Sequence, residues 1–181
     1  MKIQYNLNDK YMKYYNEAKG INLLKNKLKK NSNIKIKSYM FYITLRFPLY
    51  FILFFLLGMI CIGMGLEDLS ELLIYLDTSI LIVYIFMILS FFITVFNKKI
   101  NSREGILEIS EEGILDKAKS GIQLGFPYKQ IELIVITDNL IVFLTNVPVM
   151  IIINNVNSKK NKIINKIKQN SDIQIIDKTN N

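Results

Sequence analysis

Two long runs without a charged residue constrain this chain more than any other feature of its sequence. The first run covers residues 47–66 and the second covers residues 78–96, and Phe, Leu, Ile and Val make up most of both. A helix rises about 1.5 Å per residue, so twenty residues span about 30 Å, the thickness of the hydrocarbon core of a bilayer. The sequence therefore predicts two transmembrane helices, and their short separation favours an antiparallel hairpin.

The connection between the runs, residues 67–77, reads EDLSELLIYLD and is acidic. Asp68 and Glu71 have the spacing of a capping box, and the leucines would share one face of a helix. This pattern favours a short helix on the membrane surface, with a ragged start to the second span as the alternative. Asp77 is predicted to cap the second helix, because its carboxylate can accept free backbone N–H groups. Neither run contains an ionisable residue, which argues against an ion or proton pathway.

The distribution of charge predicts the orientation of the hairpin. Residues 1–46 carry ten lysines and Arg46 against two acids, whereas the connection carries four acids and no base. Lys98, Lys99 and Arg103 follow the second run. Because basic flanks remain in the cytoplasm, we expect both termini on the cytoplasmic side and the acidic connection outside.

A cluster of lysines precedes the first run and contributes to the net charge of +8. Such a juxtamembrane cluster suits anionic lipid, which attracts each base near the surface by about 1 kcal/mol. Nucleic acid is a poorer explanation, and a solvated face that only sets topology is the alternative. The lysines expected to contact lipid are Lys25, Lys27, Lys29, Lys30, Lys35 and Lys37.

Two pairs of small residues, each four positions apart, are candidates for close helix packing. They are Cys61 with Gly65 in the first run and Ser90 with Thr94 in the second. Cys61 is also the only cysteine, so an internal disulfide is impossible and metal or redox chemistry is not expected.

Outside the two runs, apolar residues alternate with the period of half-buried strands. Residues 2–7 predict a first strand, and a helix with a stripe of tyrosines is expected to begin after Asn8 and to end at Gly20. After Arg103 the pattern predicts six strands and one amphipathic helix. The strands are Gly105–Ser110, Ile114–Ala118, Gly121–Phe126, Gln130–Thr137, Leu140–Thr145 and Val149–Ile153, and the helix runs from Lys159 to about Gln169.

These elements predict an α+β membrane protein. It would combine a two-helix transmembrane hairpin, residues 47–96, with a small antiparallel β half-barrel closed by a C-terminal helix. Residues 1–46 and 97–181 are the two cytosolic segments. A lone N-terminal strand would leave unpaired backbone groups, so economy favours its pairing with the C-terminal sheet.

The order of these elements resembles the YcxB-like family of small bacterial membrane proteins. The segments that carry the resemblance are ISEEGI at 109–114 and FPYKQIELIVITDNLIVFL at 126–144. The resemblance covers nearly the whole chain and implies a C-terminal domain similar to bacterial pleckstrin-homology-like folds. It also implies a place in the bacterial cytoplasmic membrane. The family has no established catalytic residues, so the resemblance assigns none.

The residues themselves offer little chemistry. The chain has no His, which removes the usual general base and the commonest metal ligand, and Ser and Thr lack a His partner for activation. No phosphate-binding glycine motif is present. We therefore expect no catalytic residue, cofactor or metal, and predict that the protein is not an enzyme. Acids near the first C-terminal turn are expected to be solvated: Glu104, Glu108, Glu111, Glu112 and Asp116.

Two functions remain. The first is a non-catalytic module, anchored by the hairpin, whose cytosolic domain binds a protein or a lipid headgroup at the inner membrane surface. The alternative is a self-immunity protein that protects a bacterial producer from a bacteriocin or secreted toxin. Small size, two spans, an amphipathic outer connection and no catalytic residues suit the alternative but do not distinguish it from the first function. The expected partners are the lipid bilayer, anionic lipid, and an unidentified protein or toxin.

Overall fold

The structure, a computed structural model, describes residues 1–96, 104–154 and 157–179, without the side chains of Asp9, Thr94, Val95 and 157–159. The basic residues expected after the second run, 98, 99 and 103, lie outside the described part. The chain forms two compact units. We call one the β-unit; it combines Met1–Tyr39 with the residues after Phe96. The other, the helical hairpin, is Met40–Phe96.

The helices and strands follow one another along the chain in an order that interrupts the β-unit once. The N-terminal elements are β1 (Lys2–Asn6), a 3-10 turn (Asn8–Lys10), α1 (Tyr11–Leu23) and α2 (Lys25–Lys30). The hairpin consists of α3 (Tyr39–Gly63) and α4 (Glu67–Phe96). The C-terminal elements are β2 (Glu104–Ile109), β3 (Gly113–Ala118), β4 (Gln123–Pro127), a 3-10 turn (Tyr128–Gln130), β5 (Ile131–Ile136), β6 (Leu140–Thr145), β7 (Met150–Asn154), α5 (Asn157–Asn170) and β8 (Ile175–Asp177).

The strands form two four-stranded sheets. The first has the order β1-β2-β3-β4 and is antiparallel, and the second has the order β7-β6-β5-β8, in which β8 runs parallel to β5. The α+β class, the six predicted C-terminal strands and the amphipathic helix are confirmed, with ends shifted by one or two residues. The predicted single antiparallel half-barrel closed by a C-terminal helix is wrong. The strands form two sheets, and β8 follows α5 and pairs parallel with β5.

The N-terminal strand joins the C-terminal part of the chain, as economy of backbone hydrogen bonding predicts. β1 pairs antiparallel with β2 over five residue pairs, from Lys2 opposite Glu108 to Asn6 opposite Glu104. The pairing extends one residue further, since the Met1 amino group donates to the Ile109 carbonyl at 2.7 Å and the Met1 carbonyl accepts a hydrogen bond from the Ile109 N–H at 2.8 Å. The hairpin is therefore an insertion within the β-unit.

The core of the β-unit lies on the second sheet. Every residue of β6 is buried, and so is nearly all of β5. A strand covered on both faces is apolar at consecutive positions, which explains the unbroken run Leu140–Leu144. Helix α1 contacts β6 and β7, and it buries Tyr11, Tyr15 and Ile21.

Gly20 lies inside α1 and does not end it, so the predicted helix end is wrong. A Cβ built on Gly20 would lie 2.2 Å from the Lys37 carbonyl oxygen and 3.1 Å from the Tyr39 nitrogen. The glycine thus permits the segment before α3 to pass directly over α1. A sequence pattern cannot distinguish this use of glycine from a helix stop.

Asp116 on β3 is buried, 6% exposed, although its neighbourhood in sequence suggested a solvated turn. The Tyr5 hydroxyl donates a 2.7 Å hydrogen bond to Asp116 Oδ1 from β1, two strands away. Burial raises the pKa of the Asp116 carboxyl above its ordinary 3.8, and the Tyr5 hydrogen bond opposes that rise. The bond links two strands separated by more than a hundred residues of sequence.

Helices α3 and α4 contact each other as an antiparallel pair, which confirms the predicted hairpin. The Phe47 and Tyr84 rings stack with centroids 5.4 Å apart, and a Cβ on Gly58 would lie 3.9 Å from the Leu73 Cβ. Helix α4 runs without interruption from Glu67, so the separate surface helix is wrong and the acidic connection is the first part of α4. Asp77 lies inside this helix and does not cap it.

The small residues proposed for packing have different surroundings. Cys61 is buried, whereas Gly65 lies after the end of α3 with φ +73° and no atom within 4 Å of a built Cβ. Gly65 therefore serves the turn between the helices, in a backbone conformation that favours glycine. The Ser90 hydroxyl donates to the Met87 carbonyl, and the side chain of Thr94 lies outside the described part. The close approach of the helices occurs at Gly58, which the sequence pattern did not single out.

Replacing Gly20 by Ala should lower the free energy of unfolding of the β-unit by about 1–3 kcal/mol, the usual penalty for overpacking. The reason is that the new methyl group meets backbone atoms, which cannot rotate away. Urea unfolding of the detergent-solubilised chain, followed by near-ultraviolet circular dichroism, measures the change. Gly125→Ala is the matched control, because its nearest neighbour is a Leu115 methyl group at an ordinary 3.5 Å. Equal stability of the two variants would contradict the close approach at Gly20.

Replacing Asp116 by Asn should change how stability depends on pH. A raised pKa means that the folded chain holds the proton more tightly than the unfolded chain, so the stability contributed by Asp116 is present below pH 3.8 and is lost as pH rises through the folded pKa. Asn cannot ionise, so the stability of the variant relative to the natural chain should increase from pH 3 to pH 7. The exposed Asp172 provides the control, Asp172→Asn. Parallel pH profiles for the natural chain and Asp116→Asn would refute the assignment.

Candidate functional site

The structure divides the six lysines expected to contact lipid into three pairs with different surroundings. Lys25 and Lys29 each lie 2.9 Å from Glu132 Oε2, and the Lys25 ammonium also donates to the Thr145 carbonyl at 3.1 Å. Hydrogen bonds from Lys29 and Lys25 hold the pKa of the Glu132 carboxyl below its ordinary 4.5. These two lysines connect α2 to the second sheet, so any lipid contact would compete with ion pairs inside the β-unit.

Lys27 and Lys30 are exposed on α2. Within the part of the chain that the structure describes, neither forms an ion pair or a side-chain hydrogen bond. The third pair, Lys35 and Lys37, is exposed in the segment between α2 and α3. This segment borders the cavity that we take as the candidate site.

A cavity of about 770 Å³ opens in the β-unit where four parts of the chain converge. Helix α1 contributes its outer face, the segment 33–38 forms one wall, and the end of β5 and the residue after β8 complete it. We call this cavity the lysine pocket. Its lining residues are Lys13, Asn16, Glu17, Asn33, Ile34, Lys35, Ile36, Lys37, Ser38, Thr137 and Lys178.

The electrostatics of the lysine pocket favour an anion. Four lysines border it against one acid, Glu17. The Glu17 carboxylate is already bonded, since it accepts hydrogen bonds from the Thr137 hydroxyl and from the Asn139 amide at 3.4 Å. Among the described residues, Lys13, Lys35 and Lys178 form no ion pair. Their charges are therefore available to a ligand.

The wall formed by segment 33–38 is fixed at its C-terminal end. The close approach at Gly20 positions the Lys37 carbonyl, and the Lys19 ammonium lies 5.0 Å from the centroid of the Tyr39 ring and 5.5 Å from that of Tyr15. Burial lowers the pKa of the Lys19 ammonium below 10.5. Cation–π contacts of this kind hold Tyr39, the last residue of this segment of the β-unit, near α1.

The pocket has the residue types that bind a phosphate group. Lysine ammonium groups attract phosphate as point charges, and asparagine, serine and threonine side chains can add neutral hydrogen bonds. The described residues contain no group of three or more His, Cys, Asp or Glu side chains placed to hold a metal ion. The arrangement is suited to binding an anionic group.

Sequence reasoning found only part of this site. Lys35 and Lys37 belonged to the predicted cluster, but Lys13 and Lys178 did not. Lys178 reaches the pocket because β8 pairs with β5, where the Lys178 N–H donates to the Ile136 carbonyl at 2.7 Å. No local signal in the sequence places a residue near position 178 beside position 35.

Comparison with known proteins assigns no role to these residues. No protein-family model matches the chain, and no curated protein matches it at a significant level. The function must therefore be argued from the geometry of the site.

Proposed function

We propose that the protein is a non-catalytic integral membrane protein of the bacterial cytoplasmic membrane, and that its β-unit binds the phosphate-bearing headgroup of an anionic lipid in the lysine pocket. The observation that carries the proposal is the position of the pocket in the chain. Segment 33–38, which forms one wall, leads directly into α3 at Tyr39. A headgroup held there lies within a few residues of the point at which the chain enters the bilayer.

The composition and exposure of the two long helices support the membrane anchor. Two stretches, Tyr39–Gly63 and Glu67–Ile93, are long and apolar enough to cross a bilayer. Of the most apolar 18 residues in each stretch, only 11% in the first and 6% in the second are buried within the chain. A core helix of a soluble protein buries most of such a surface, whereas a membrane helix leaves it to lipid. Lipid is therefore the solvent that these side chains fit.

The orientation follows from the flanking charges. Basic flanks resist translocation, and the residues before α3 carry all ten lysines of residues 1–96. The turn between α3 and α4 is followed by Glu67 and Asp68 and contains no base. Both termini, and hence the whole β-unit, then lie on the cytoplasmic side. This orientation places the lysine pocket on the leaflet that is rich in anionic lipid.

We further propose kinship with the YcxB-like family and a pleckstrin-homology-like character for the β-unit. The support is the element order: an N-terminal strand and helix, two apolar helices, antiparallel strands, and a basic amphipathic helix near the end. The pairing of β1 with β2 across the inserted hairpin is consistent with one membrane-proximal β-domain.

The proposed topology predicts the side from which single cysteines react. In a Cys61→Ala background, Glu67→Cys should react with a membrane-impermeant maleimide in intact cells, because it begins α4 at the outer turn. Glu111→Cys, in the exposed turn between β2 and β3, should react only after permeabilisation. Labelling of the second cysteine in intact cells would overturn the orientation.

If the lysine pocket binds the headgroup, the lysines that line it should contribute more to the affinity for anionic lipid than lysines elsewhere on the β-unit. The triple variant Lys13→Gln, Lys35→Gln and Lys178→Gln should reduce affinity for phosphatidylglycerol about a hundredfold, since each base near an anionic headgroup contributes about 1 kcal/mol. Retention of phosphatidylglycerol and phosphatidylcholine by the detergent-purified full chain, measured by native mass spectrometry, tests this. The natural chain should retain the anionic lipid preferentially.

The matched control removes the same charge from exposed lysines outside the pocket. Lys10→Gln, Lys27→Gln and Lys30→Gln together should leave most of the preference for phosphatidylglycerol intact. The two triple variants could instead lose equal affinity for phosphatidylglycerol, and added salt could abolish lipid binding in both. That result would assign the attraction to general surface charge and refute specific binding in the lysine pocket.

A further inference from the structure

Asp77 is the least expected residue of the helical hairpin. It is the eleventh of the 30 residues of α4, is 7% exposed, and its Oδ1 has no hydrogen-bond partner among the described residues. The other acids of α4 do not share this position. Glu67 and Asp68 occupy the first turn, where the helix dipole favours negative charge, and exposed Glu71 accepts a hydrogen bond from the Tyr75 hydroxyl.

The hairpin supplies no counter-ion for this carboxylate. Arg46 is the only base in residues 40–96. The contacts of Phe47 with Tyr84 and of Gly58 with Leu73 define one register, in which Asp77 falls opposite residue 54. Arg46 is eight residues from that level, about 12 Å along the helix axis. Its guanidinium lies over the Tyr42 ring instead, 5.5 Å from the centroid.

The unpartnered carboxylate borders a cavity of about 370 Å³ between α3 and α4. Most of the lining is apolar and aromatic, with Phe51, Phe54 and Phe55 on α3. Gly58, one helical turn beyond residue 54 and opposite Leu73, also lines the cavity. A volume of this size, apolar walls and one directing polar group are the usual properties of a small-molecule site.

We propose that this cavity binds a lipophilic amine in its protonated form, with the ammonium on Asp77 and the apolar body among the phenylalanines. A protonated amine supplies the hydrogen bonds and the positive charge that Asp77 lacks, and aromatic rings attract a cation as well. A metal ion fits less well, because it needs several oxygen ligands and, among the side chains that line the cavity, only Asp77 and Thr78 carry oxygen. The site belongs to the hairpin alone and does not depend on the lysine pocket.

Monodansylcadaverine, a primary amine attached to an apolar fluorophore, is a suitable probe, and its N-acetyl derivative is the matched neutral compound. Fluorescence titration of the full chain in a non-ionic detergent should show saturable binding of the amine and at least tenfold weaker binding of the acetylated compound. Asp77→Asn keeps the shape of the side chain and removes its charge, so it should lose at least tenfold in affinity for the amine. Asp68→Asn removes the same charge from an exposed position of α4 and should bind as the natural chain does.

Helical circular dichroism and a monodisperse elution profile establish that each variant is folded. The comparison of the two probes on the natural chain stands even if Asp77→Asn does not fold. Absence of saturable amine binding, equal binding of the neutral probe, or full binding by folded Asp77→Asn would each overturn the proposal. The first of these outcomes would favour a basic residue of a partner helix as the group that meets Asp77.

Discussion

The pairing of β1 with β2 is the interaction on which the rest of the structure depends. It joins residues 2–6 to residues 104–108, and the described residues between them belong either to the β-unit or to the inserted hairpin. The Tyr5–Asp116 hydrogen bond and the reciprocal bonds of Met1 with Ile109 add to the same connection. During synthesis the hairpin emerges before β2, so β1 has no sheet partner until both apolar helices are complete. The loop that closes is long, but the entropy of closure grows only slowly with length.

The lysines of the N-terminal half have two physical roles that composition cannot separate. Lys25 and Lys29 are bound to Glu132 and hold α2 on the second sheet. Lys35 belongs to the wall of a pocket that also contains Lys13 and Lys178, where cationic groups surround a shared space. Ion pairs inside the β-unit stabilise a fold, whereas unpaired ammonium groups around a cavity attract an anion. The net charge of +8 counts both kinds of lysine alike.

The helical hairpin combines an apolar exterior with one polar interruption. Its two helices are long and apolar enough to span a bilayer, and few residues of their most apolar stretches are buried within the chain. Asp77 is the exception among their apolar residues, because an unpaired buried carboxylate is costly in any apolar surroundings. The lysine pocket and the Asp77 cavity thus have opposite requirements: one offers positive charge to an anion, and the other offers negative charge to a cation. They also occur in different units of the chain, so each can be tested by itself.

Hydrophobic period and charge, read along the chain, determined the two apolar helices, the six C-terminal strands and the amphipathic α5, because each depends on the spacing of neighbouring residues. The need to satisfy the backbone groups of a lone strand also favoured the pairing of the N-terminal strand with the C-terminal sheet. Only the tertiary structure decided the parallel strand β8, the burial of Asp116, and the role of Gly20 beneath the Lys37 carbonyl. The candidate sites divide in the same way: Lys35 and Lys37 were visible as a local cluster, but Lys13 and Lys178 join them only through sheet pairing. Asp77 resembled a helix cap, but the structure places it inside the continuous helix α4, where it is buried beside residues of α3. In every such case the decisive contact joins residues distant in sequence, and a local pattern contains no information about it.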